Sequence, residues 1–242
     1  MGEAANYILH HLSSEGIVGA DDIDQETVEL LTDLVCVMGS LHRGMPVYGK
    51  WFEERIRSHL AELIPDSWSV SGPSQIYDPS VPDVRSRSWD LIVHLKPEVD
   101  LPPMASVNCG FPLIPKQLVC MVIDTKTMFN NISEYTDKTV NNLRANNTQK
   151  QLDFLGPNIK KVILAASSTC LQSTLWEKGQ KFGIDVYCLS KSKASRVDKW
   201  ENRKWELRFQ YLQNGDSPFL TFLNSVSNTI SSYKFVEGLQ ST

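Results

Sequence analysis

The stretch "LVCMVIDTKTMF", residues 118–129, decides how this 242-residue chain is read. Leu118 to Ile123 are all apolar, and a short run of that kind is a strand buried on both faces. It then ends in Asp124, Thr125 and Lys126. Charge beside a core is costly unless it is paired, solvated or used. Residues two apart on a strand point to the same side, so Asp124 and Lys126 share a face. They are either an ion pair closing the end of the strand or two halves of a reaction centre.

On the N-terminal side, "SWDLIVHL", 88–95, reads as a second buried strand, and "SWSVSGPSQIYD", 67–78, as a third. Between them lies a turn-rich segment with Pro79 and Pro82. Residues 97–115 hold five prolines, which excludes a helix or a central strand there. A loop of that length is functional or mobile. "GKWFEERIRSHLAELIP", 49–65, predicts a helix with Phe52, Ile56, Leu60 and Leu63 as one stripe and Pro65 as its stop. A further amphipathic helix is expected over 26–41.

On the C-terminal side the pattern predicts a helix over 133–154, a strand over 160–167, and a helix near 170–182 stopped by Gly183. "IDVYCLS" and "KWELRFQYL" read as strands, and "PFLTFLNSVSNTISSY" as a last helix with Pro218 at its entrance. No repeat or low-complexity tract occurs. The order implies an α/β domain with a mixed central sheet flanked by helices.

Composition narrows the class. With 41% hydrophobic and 21% charged residues the chain is an ordinary globular protein, and no apolar run is long enough to span a membrane. The start has no basic segment followed by an apolar core, so no secretory signal is expected. Five scattered cysteines without a CxxC pair fit reduced thiols in a cytoplasmic protein. The net charge of −4 hides an asymmetry: residues 1–42 carry eight of the 28 acids and no Lys or Arg. The remaining 20 acids against 24 bases leave residues 43–242 at about +4. An acidic helical extension over 1–45, followed by one domain over 46–242, is the expected organisation. The asymmetry suits a body that binds a polyanion, and equally a solvated acidic helix.

If the strands carrying Asp90 and Asp124 are neighbours, the two carboxylates meet. Held close, they repel unless a cation sits between them. Mg²⁺ is the natural occupant, with Mn²⁺ as its substitute, because it takes oxygen ligands from one or two carboxylates and completes its shell with water and phosphate. The Thr125 main-chain carbonyl is a candidate third ligand. Lys126 beside a metal-bound water would orient the nucleophile and stabilise charge on a pentavalent phosphate. The bland alternatives are a strand-end ion pair, an Asp90 that caps backbone N–H groups, and a solvated charged face for Glu53 and Glu54.

The helix, the strands and the D…DxK spacing resemble the PD-(D/E)XK nuclease superfamily, with "WDLIVHL" and "VIDTK" as the matching pieces. The resemblance implies a restriction-endonuclease-like αβββαβ core, with Asp90, Asp124 and Lys126 as the catalytic set. "GKWFEERIRSHLAELIP" is similar to the opening helix of bacterial members that include second-messenger-activated effector nucleases of anti-phage defence; Glu53 matches its glutamate, which implies a fourth catalytic residue acting through a metal-bound water. Two departures stand out. Ser88-Trp89-Asp90 replaces S-x-Q-x-D, and Asp124 stands where those relatives have Glu. What the resemblance implies is an Mg²⁺-dependent endonuclease acting on double-stranded DNA, gated by homo-oligomerisation, a nucleotide second messenger or a partner protein. The alternative is an inactive nuclease-fold subunit for nucleic-acid binding or assembly.

Basic residues elsewhere are candidate DNA contacts. Lys191, Lys193, Arg196 and Lys199 lie in a stretch interleaved with Trp200 and Trp205, which would grip phosphates and stack bases. The same stretch reads as a polar hairpin with its Trp rings on the core. Gln149 and Lys150 close a polar segment that would approach DNA, or would only face solvent.

Overall fold

A buried strand needs neighbours on both edges, and Val119–Met128 has them. The computed structural model describes residues 45–97, 112–129, 150–194, 205–209 and 217–233. In chain order its elements are α1 (Met45–Leu63), β1 (Trp68–Ser71), β2 (Gln75–Asp78), β3 (Val81–Arg85), β4 (Leu91–Leu95), β5 (Leu113–Pro115), β6 (Val119–Met128), β7 (Lys160–Ser168), α2 (Gln172–Gln180), β8 (Asp185–Ala194), β9 (Trp205–Phe209) and α3 (Pro218–Ser232). A six-stranded sheet runs in the order β1-β4-β6-β7-β8-β9, so β6 is internal. The pairs β1/β4, β4/β6 and β8/β9 are antiparallel, whereas β6/β7 and β7/β8 are parallel. The sheet is mixed, as expected.

α1 and α3 cover one face. Phe52, Ile56 and Leu60 on α1 and Phe219, Phe222 and Val226 on α3 are wholly buried, packed with Leu91, Ile123, Leu164 and Tyr187 of the strands. Each such side chain contributes about 1.5–3 kcal/mol through burial. Ser217 caps α3 by accepting from Leu220 N, with Pro218 in the first turn. α2 packs on the other face through Leu175. Gly183, at φ 65°, ends its turn, where Ile184 N donates to Gly179 O.

Four expectations are corrected. The helix starts at Met45, not Gly49, because Pro46 is tolerated in a first turn. Leu63 is 42% exposed, since the chain turns away at Pro65, where Trp68 N donates to Pro65 O. The single strand over 67–78 is two strands: Gly72 and Pro73 interrupt the ladder, so β1 stays in the large sheet and β2 enters a second, three-stranded sheet ordered β3-β2-β5. The turn-rich segment and the end of the proline loop supply its two edge strands, where proline is tolerated. Ile76 and Ile114 of this small sheet pack on Ile92 and Val122 of the large one, with Trp89, just before β4, in the same cluster.

The extension over 1–45 falls outside the described residues except for Met45, as do most of the proline loop and residues 133–149 of the predicted 133–154 helix; residues 150–155 are helical. Among the described residues no helix is long and apolar enough to cross a membrane.

Candidate active site

The β4/β6 register builds the site. Leu91 pairs with Ile123 across an antiparallel ladder, so Asp90, just before β4, comes level with Asp124. On β6, Asp124 and Lys126 fall on the side that carries Val122, and Lys126 Nζ donates to Asp124 Oδ1. The same ammonium lies 3.6 Å from Asp90 Oδ2 and donates to the Thr125 main-chain oxygen at 3.0 Å. Asp90 Oδ2 is oriented by Thr125 N at 2.8 Å and Thr125 Oγ1 at 3.2 Å. The ion-pair reading and the cap reading of these residues are therefore both present as contacts, within one cluster.

Three oxygens from Asp90, Asp124 and Thr125 thus converge on a single positive charge. They are hard donors of the kind Mg²⁺ takes, at a locus that already attracts a cation. Among the described residues no group of three or more His, Cys, Asp or Glu surrounds one point. The carboxylates available are therefore two, which matches Mg²⁺ sites completed by water and phosphate. The donor set fits.

The two acids differ in character. Asp124 is 3% exposed. Burial pushes its pKa up, but the Lys126 and Arg87 charges outweigh burial and hold it well below the usual carboxylate range. Asp90 is pushed up to about 6, first by burial and then by its contact with Asp124, against the pull of Lys126. A proton entering the pair therefore resides on Asp90. Glu53 is pushed up to about 7 by burial, then by the charges of Asp90 and Glu54, with Arg57 and Lys50 opposing. Asp90 and Glu53 consequently feel one another. Glu54 instead accepts from Arg57 Nε at 3.0 Å.

Two residues at the site were not singled out from the sequence. Arg87 donates to Asp124 Oδ2 at 2.9 Å and lies over the Trp89 ring, 4.1 Å from its centroid. Gln151 accepts from Arg87 N at 2.7 Å. The polar segment near 150 does reach the site, through Gln151; Lys150 beside it is exposed, and Gln149 lies outside the described residues. Lys191 is on β8, two strands from β6. It lies three residues beyond Cys188, which is level with Lys126, so it is about 14 Å from Lys126 by strand spacing and rise. Lys193 is on β8 with its side chain undescribed, while Arg196 and Lys199 lie outside the described residues. The β8/β9 pairing, with Ala194 opposite Trp205, makes this stretch an antiparallel pair.

Among solved structures the chain is similar to NucC of P. aeruginosa ATCC27853 in its cAAA-bound form. The TM-score is 0.54 at 10% identity, over 87% of this chain and 90% of that one. It is also similar to the cAAA-bound form of NucC from E. coli MS115-1, with a TM-score of 0.53 at 9% identity, over 87% and 89% of the two chains. No protein-family model matches the sequence, and no curated protein is significantly similar to it. The likeness is one of fold: this chain has the restriction-endonuclease-like fold, a mixed sheet flanked by helices.

Proposed function

We propose that the chain is a metal-dependent endodeoxyribonuclease of bacterial anti-phage defence that hydrolyses phosphodiester bonds in double-stranded DNA. The observation that carries this reading is the convergence of Asp90 Oδ2, Asp124 Oδ1 and the Thr125 carbonyl on the Lys126 ammonium. The restriction-endonuclease-like fold supports it. Mg²⁺, or Mn²⁺ in its place, would be held by Asp90, Asp124 and Thr125, and when bound would polarise the phosphate and lower the pKa of a water.

The chain's own groups do the rest. Lys126, with its ammonium beside both carboxylates, orients the attacking water and holds the negative charge that grows on phosphorus. Glu53 lies where Asp90's charge reaches it, at the edge of the same centre, and would accept the proton that the water loses. The water oxygen bonds to phosphorus, the ester P–O bond breaks, and the leaving oxygen takes a proton from solvent. An ungated enzyme of this kind would damage its own host. The two similar structures named above are cAAA-bound forms, which supports a nucleotide second messenger of that type as the activator; gating through an assembly of several copies is part of the same proposal.

Supercoiled plasmid incubated with Mg²⁺ or Mn²⁺, with and without cAAA, tests the reading. Cutting should require metal, rise with cAAA, stop in EDTA and fall at least about 100-fold in Lys126→Ala. Cutting that survives EDTA contradicts it. DNA binding without cutting under every condition supports the inactive subunit instead.

A further inference from the structure

Asp124 meets two cations, Lys126 and Arg87, and Lys126 also lies 3.6 Å from Asp90, so the pair of carboxylates faces a pair of positive charges. What sets Arg87 apart is that its surroundings fix its orientation as well as its charge. The residue lies between β3 and β4, on a connection held by several main-chain hydrogen bonds. Ser86 N donates to Ile76 O at 2.8 Å, Ser86 Oγ donates to Arg87 O at 2.7 Å, and Arg87 N donates to Gln151 Oε1 at 2.7 Å. Trp89, 4% exposed, exchanges backbone hydrogen bonds with Ser74 at 2.9 and 3.2 Å and presents its ring 4.1 Å from the guanidinium carbon. The guanidinium is therefore seated on a fixed plane, with its NH2 arm 2.9 Å from Asp124 Oδ2.

We propose that Arg87 is a positioning residue of the reaction centre. Held by the Trp89 ring and by Gln151, it grips Asp124 by Oδ2 and so turns Oδ1 toward the point where Lys126, Asp90 and the Thr125 carbonyl meet. This inference rests on the nuclease reading, since it gives that centre its preorganisation. The guanidinium reaches Asp124 Oδ2 through Nη2, and the Trp89 face against which it lies fixes the direction of that contact, which a freely rotating lysine ammonium would not do. Ligand orientation of this kind is worth about 10- to 100-fold in metal affinity. Gln151 ties the same geometry to the helical turns at 150–155.

Calorimetric titration of the full chain with Mn²⁺, for wild type, Arg87→Lys and Gln151→Ala, tests the inference. Arg87→Lys keeps the charge and loses the flat guanidinium seated on the Trp89 ring. It should melt close to wild type yet bind Mn²⁺ about tenfold or more weakly. In the plasmid assay its turnover at saturating Mn²⁺ should fall with KM for DNA unchanged, a split that loss of DNA contact would not produce, while a melt close to wild type excludes loss of folding. Gln151→Ala should weaken Mn²⁺ in the same direction by a smaller factor. Wild-type Mn²⁺ affinity in Arg87→Lys overturns the inference and leaves the nuclease reading standing. If Arg87→Lys does not fold, Gln151→Ala decides, and unchanged affinity there overturns it. Absence of Mn²⁺ binding in wild type sinks the nuclease reading itself.

Discussion

Asp90 and Asp124 are chemically alike and behave differently, because the cations sit closest to Asp124. Asp90 keeps most of the burial penalty, and its pKa of about 6 lies above the 3.8 of an unperturbed carboxyl. A raised folded-state value means that protonation favours the fold. Asp90's contribution is full below about 4 and is lost as pH rises through 6. Glu53, raised from 4.5 to about 7, extends the same loss upward. Asp124 has the opposite sign: its contribution is present above its ordinary value and disappears as pH falls below it. The metal-free protein should therefore give up stability between about pH 4 and 7 through Asp90 and Glu53. Thermal melts in EDTA across that range check this, with Asp90→Asn as the comparison. The wild-type midpoint should fall relative to Asp90→Asn by a few degrees. A constant difference between the two would show that Asp90 titrates normally.

α1 brings Glu53 to the sheet only because its apolar stripe docks there. Phe52, next to Glu53, is wholly buried against the strands. Phe52→Ala should cost about 3–5 kcal/mol in urea unfolding; a loss below about 1 kcal/mol would mean that the helix does not pack as described. That stripe was legible because i, i+4, i+8 spacing survives any tertiary context. Its last member, Leu63, was not, since a periodic pattern cannot show where the chain turns away. Strands β4, β6, β7 and β8 were legible as apolar runs, because a strand covered on both faces leaves no polar position to confuse the reading. The second sheet was hidden. β5 is three residues long, β3 contains Pro82, and the break at Gly72 and Pro73 looks from sequence like a kink within one strand.

Across the whole molecule, the site residues that could be read in advance are those that end strands, where polarity changes abruptly: Asp90 before β4, and Asp124 and Lys126 toward the end of β6. Arg87 and Gln151 could not be read that way. Their contacts span 37 and 64 residues of sequence and depend on how the small sheet and the helical turns at 150–155 fold over the large one. Place on a strand end thus separates the acid–acid–lysine set, visible as a pattern, from the parts that hold it in place. Whether that set is a cation site is most directly settled by titrating Mn²⁺ into the wild-type chain and into Asp124→Asn, with no DNA or activator present. The proposed centre predicts saturable binding by wild type that is lost in Asp124→Asn while the fold is retained. Equal binding by both proteins, or none by wild type, would contradict it.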